Sequence, residues 1–144
     1  MQQAADDKGR ALPEGPISLS ATFEGGEAIA RARDHAGVFL RNLEREHGVP
    51  VTERVMNLVQ LVVSELVTNT RKYAPGPSSL TLRAHQGAVS VTVWDTEPRL
   101  PVVRGADPVR VGQHGLEIVL AVCRSLEVHP EPAGKRITAT IDLV

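Results

Sequence analysis

The sequence predicts an α/β protein, an α+β two-layer sandwich in which helices cover one face of an open sheet. Three observations carry the expectation. Residues 17–23, 80–93 and 136–144 alternate apolar with polar side chains, the period of half-buried strands. Residues 27–46 and 52–73 repeat apolar residues at three- and four-residue steps, the period of amphipathic helices. The resulting order of strand, helix, helix, hairpin, loop, helix and strand gives every apolar face another element to cover it.

Each element has its own signal. Residues 1–16 hold Gly9, Pro13, Gly15 and Pro16 without periodicity, and are read as a flexible N-terminal tail preceding one domain over 17–144. Ile17, Leu19, Ala21 and Phe23 alternate with small hydroxyl residues, and Gly25-Gly26 ends that strand. Ile29, Ala32, Ala36, Phe39, Leu40 and Leu43 form the stripe of the first helix, which Gly48 and Pro50 terminate. Thr52 is placed to cap a second helix, whose stripe is Val55, Leu58, Val59, Val62, Leu66 and the small Thr70. Ala74-Pro75-Gly76-Pro77 stops it. Leu80, Leu82 and Ala84, the Gln86-Gly87 turn, and Val89, Val91 and Val93 make a β-hairpin. Residues 95–111 carry three prolines and a glycine, a loop long enough to suggest a functional lid. A short apolar helix over 115–126 and a closing strand over 136–144 complete the chain.

The 144 residues carry 16 Lys+Arg against 17 Asp+Glu, a net charge of −1, which does not suit a dedicated nucleic-acid binder. With 3% aromatic residues, the core must be built from Val, Leu, Ile and Ala. One cysteine, Cys123, excludes an intrachain disulfide framework and a cysteine-rich zinc site, and its apolar run assigns it to the core. No apolar run is long enough to span a bilayer, and the polar start lacks the apolar segment of a signal peptide. The expectation is a soluble cytoplasmic domain that touches neither membrane nor nucleic acid. Trp94 is expected beside the hairpin, and His35, His47, His85 and His129 on the surface without metal-ligand spacing.

Three constellations could carry chemistry. On the second long helix, Glu65, Asn69 and Tyr73 fall at i, i+4 and i+8 and so share one face. A carboxylate and a carboxamide one turn apart can hold a hard cation and orient a hydroxyl, though exposed polar pairs at this spacing are also common. Asp95 stands where an apolar strand ends and could accept from an exocyclic amine of a base, or simply open a turn. Gly112-Gln113-His114-Gly115-Leu116 runs from a glycine loop straight into a helix, a junction whose backbone N–H groups suit an anion.

In this order the three resemble the nucleotide-binding boxes of the GHKL ATPase superfamily, the Bergerat-fold group. Among its branches the chain is most similar to the small stand-alone bacterial anti-sigma-factor serine kinases. The resemblance covers about residues 17–144: Glu65-Leu66-Val67-Thr68-Asn69 follows the asparagine box, Asp95 heads the first glycine box, and residues 112–119 follow the second. It implies a mixed Bergerat-type sheet and ATP with Mg²⁺ as cofactors. Asn69 would ligate the metal, and Glu65 would be the general base. Lys72 and Tyr73 would extend the box toward the phosphates. Asp95 would accept from the adenine amine, and Gly112, His114, Gly115 and Leu116 would form the phosphate-facing lid and helix start.

The chain also departs from the pattern. Glu97-Pro98-Arg99 replaces the usual glycines, His114 stands where arginine is common, Tyr73 replaces a histidine, and Gly134-Lys135-Arg136-Ile137 lacks a threonine often found near adenine. A histidine near phosphates titrates close to neutral pH where an arginine would not. The resemblance implies a protein serine/threonine kinase acting on an anti-anti-sigma-like partner, holding a sigma factor, and working alone or as a homodimer. The alternative is a binder that uses ATP only to gate its hold on a partner.

Overall fold

A computed structural model describes residues 17–23, 28–73, 76–96 and 115–144. The tail over 1–16, the loop beyond Thr96, and Gly112 and His114 lie outside the described residues. The elements run β1 (Ile17–Phe23), α1 (Ala28–His47), α2 (Glu53–Tyr73), β2 (Ser78–His85), β3 (Ala88–Asp95), α3 (Gly115–Val122), β4 (Ser125–Glu131) and β5 (Gly134–Asp142). The class is mixed α/β. Five strands form one sheet in the order β1-β2-β3-β5-β4.

Every pairing in that sheet is antiparallel, from β1 on β2 through β4 on β5. The expected mixed sheet is therefore not what the described strands form. Connectivity dictates two of the four pairings: two-residue turns join β2 to β3 and β4 to β5, and such a turn reverses the chain. The β1–β2 and β3–β5 pairs are joined through helices, and their sense is set by the packing of the whole sheet.

The helices lie on one face and the core sits between the layers. The stripe read from the sequence supplies it: Ala32, Ala36, Phe39, Leu40 and Leu43 of α1 pack with Val55, Val59, Val62 and Leu66 of α2. Leu80, Leu82, Ala84, Val89, Val91, Val93, Ile137, Ala139 and Ile141 face them from the sheet. The alternate strand residues form the other face. There Ser20 meets Thr81 across β1 and β2 at 2.8 Å, and Thr92 meets Thr138 across β3 and β5 at 3.0 Å. The Thr52 hydroxyl accepts from the Val55 N–H at 3.1 Å, the expected cap of α2.

Two elements at the C-terminal end differ from the reading of the sequence. α3 stops at Val122 rather than near residue 126, and the residues after it form a strand, β4, that the sequence pattern does not announce. The Arg124 N–H already donates to Thr140 O at 2.8 Å, so the chain is committed to the sheet two residues after the helix. Ser125-Leu126-Glu127-Val128 does alternate, but Pro130 argues against a strand. It is tolerated here because β4 is the sheet edge, where a missing donor leaves no neighbour unsatisfied.

Candidate functional site

α2 delivers the first set of polar residues. Its buried stripe faces the core, and one step round the helix Glu65 and Asn69 are half-buried on a common side, with Lys72 exposed a turn later. Tyr73 is the last residue of the helix. Beside Asn69, Thr70 is 1% exposed, and its hydroxyl meets no hydrogen-bond partner among the described residues. The helical period places Thr70 on the apolar stripe, but no local pattern signals that its hydroxyl is buried without a partner among the described residues.

α3 starts against α2. A Cβ built on Gly115 would stand 2.9 Å from Glu65 Oε1 and 3.7 Å from the Glu65 carbonyl oxygen. The Glu65 carboxylate thus lies over the first residue of α3, next to the positive end of a helix. Glycine is what permits the approach. Leu116 is buried in the core, so what it can offer a ligand is its backbone N–H. Gly115 and Glu65 lie far apart in sequence, and the fold brings them together.

Asp95 closes β3 and is directly opposite Lys135 of β5 in register. The Lys135 ammonium donates to Asp95 Oδ1 at 3.0 Å, and the side chains are only 3% and 1% exposed. The carboxylate expected to await a base is therefore tied to a lysine, which occupies the strand where the family pattern has threonine. Gly134, at φ +155°, makes the approach possible: a Cβ there would fall 1.8 Å from Asp95 O. A Cβ on Gly76 would stand 2.9 Å from Thr96 Oγ1, so the chain leaving α2 returns beside the end of β3. Among the described residues, Gly115 of the third constellation is thus in direct apposition to Glu65 of the first, and the chain leaving α2 comes beside the end of β3, where Asp95 stands.

One observation on α2 points to a polar ligand: the Thr70 hydroxyl, buried beside Asn69, has no hydrogen-bond partner among the described residues, whereas the space at Gly115 is already taken by Glu65. The other singled-out residues do not join it. Trp94 sits on the opposite face of the sheet, level with Ser79 and Arg136. His129 pairs with Glu127 at 3.1 Å on β4, and His35 meets the Phe23 ring edge-on at 5.8 Å. Cys123 is half-buried against the core, and burial pushes its thiol up to about 11. Among the described residues no group of three or more His, Cys, Asp or Glu converges on a metal position, and no helix is long and apolar enough to cross a membrane.

No family model and no curated protein matches the chain.

Proposed function

We propose that the chain is a Bergerat-fold ATP-binding regulator that transfers the γ-phosphoryl group to a serine or threonine of a partner protein. The observation that carries the reading is the Glu65 carboxylate lying on the glycine start of α3, one helical turn from Asn69. Asn69 would ligate Mg²⁺, and α3 would face the phosphates with its first N–H groups. Bound Mg²⁺ would supply charge neutralisation for the transferring group. Glu65 is then a base at the helix start, placed to take the proton of an acceptor hydroxyl. Lys72 closes the same side of α2 with a cation suited to phosphate oxygens. By the resemblance, the partner is an anti-anti-sigma-like protein, with a sigma factor as a second client, in the cytoplasm.

A second reading follows from the Lys135–Asp95 pair, which departs from the kinase pattern: ATP gates a non-catalytic hold on the partner. One experiment separates them. Wild type, Asn69→Ala and Glu65→Gln are each titrated with Mg²⁺-ATP by calorimetry and incubated with γ-labelled ATP and candidate partner proteins. The kinase reading expects Asn69→Ala to lose binding and transfer together. Glu65→Gln should keep binding while transfer falls about 10²–10⁴-fold. Wild type that binds ATP and partner but transfers nothing is the binder. Wild type that binds no ATP ends both readings.

A further inference from the structure

The rungs joining β3 to β5 on the core face are apolar except the last. Val89↔Ile141, Val91↔Ala139 and Val93↔Ile137 are followed by Asp95↔Lys135. Both charged side chains are shut away from water, at 1% and 3% exposure. Stability does not account for that rung. Replacing a buried ion pair by well-packed apolar residues is often neutral or stabilising, because desolvating two charges offsets most of their attraction. The pair also stands at the end where Thr96, Gly76 and the last turns of α2 gather, rather than in the middle of the sheet.

We propose that Lys135 is a base-reading residue, which with Asp95 forms one donor–acceptor unit for the edge of an adenine ring. The inference rests on the nucleotide reading of the preceding section and deepens it. A carboxylate alone accepts from any base that offers an amine or ring N–H. It cannot tell whether the neighbouring ring position is a bare nitrogen or carries hydrogen. Lys135 supplies that second test. An ammonium carries three N–H donors and no acceptor, so it can hold the Asp95 carboxylate while donating to a second atom. Adenine presents the matching pattern on adjacent atoms: the 6-amino group donates to Asp95, and ring N1 accepts from Lys135. The 3.0 Å contact between Nζ and Oδ1 sets the two protein atoms side by side, as the two base atoms are. A hydrogen-bonding site left unmatched in a buried pocket rejects the wrong ligand strongly.

The test uses the full chain with Mg²⁺ and two probes, ATP and 1-deaza-ATP, in which N1 is replaced by C–H. Wild type is expected to bind 1-deaza-ATP about 10–100-fold more weakly, the worth of a hydrogen bond to a charged donor. Lys135→Met is expected to bind ATP more weakly and to lose the discrimination, with circular dichroism reporting whether it folds. If it does not fold, Asp95→Leu/Lys135→Met, which leaves no buried charge unpaired, takes its place: it too should bind the two probes equally, and full discrimination in it overturns the role of Lys135. Equal affinities for ATP and 1-deaza-ATP in wild type overturn the role of Lys135 and leave nucleotide binding standing. Full discrimination in a folded Lys135→Met overturns it as well. Wild type that binds neither probe removes the nucleotide reading itself, and Lys135 as a base reader with it.

Discussion

Gly134→Ala is the sharpest perturbation the fold offers, because it separates a backbone requirement from a packing requirement. Gly134 opens β5 at φ +155°, a region open in practice only to glycine, and adopting it costs an alanine about 1–3 kcal/mol. The new Cβ would also fall 1.8 Å from Asp95 O and 2.8 Å from both Asp95 C and Thr96 Cα. All three are backbone atoms, so no side chain can swing aside. Bringing the nearest atom to even 3.0 Å needs a shift of 3.0 − 1.8 = 1.2 Å between β3 and β5. That overlap adds about 1–3 kcal/mol, and it falls on the rung that holds the buried ion pair. The expected loss is about 2–6 kcal/mol, a large share of the 5–15 kcal/mol typical of a domain. Gly87→Ala is the control. Gly87 is also at positive φ, +78°, but a Cβ there meets nothing within 4 Å, so it incurs only the backbone term. Urea unfolding followed by circular dichroism compares the two. With m near 1–3 kcal/mol per molar, a gap of about 2 kcal/mol separates the midpoints by roughly 1 M. Midpoints that coincide would refute the close approach of Gly134 to Asp95.

Asp95→Asn keeps the size of the side chain but leaves the Lys135 ammonium buried beside a neutral amide, so urea unfolding should show a loss of about 3–5 kcal/mol. The double variant Asp95→Leu/Lys135→Met should recover most of it, and a single variant as stable as wild type would show that the pair is not buried. Gly115→Ala should leave the urea midpoint close to wild type while lowering phosphoryl transfer. Its Cβ would displace only the flexible end of Glu65, 2.9 Å away. Transfer at the wild-type rate would remove Glu65's seat on α3 from the mechanism. Cys123 gives a pH signature. Burial raises its thiol from 9.0 to about 11, so the folded chain holds the proton that the unfolded chain releases. The associated stability is complete below pH 9.0 and declines as pH rises toward about 11, and Cys123→Ser should lack this part of the decline. Identical alkaline profiles for the two proteins would contradict the burial.

The local parts of the fold are legible in the sequence. The stripes of α1 and α2, the Thr52 cap, the hairpin about Gln86-Gly87 and the alternation in β1 and β5 depend on residues a few positions apart, where period and turn chemistry act. Local spacing also picks out Glu65, Asn69, Asp95 and Gly115 as residues able to carry chemistry. What those residues touch was a tertiary matter. Asp95 and Lys135 lie 40 residues apart, and they meet because β5 inserts between β3 and β4, a strand order that no period reveals. Glu65 meets Gly115 because α3 packs on α2, which depends on complementary surfaces rather than on the helical pattern of either one. The edge position of β4 is likewise a property of the whole sheet, and it made Pro130 acceptable in a strand. Side-chain pattern acts over one or two turns, whereas the partner of a buried charge is set by where the chain returns. That is why the apolar faces were legible in the sequence and the ion pair at the end of the sheet was not.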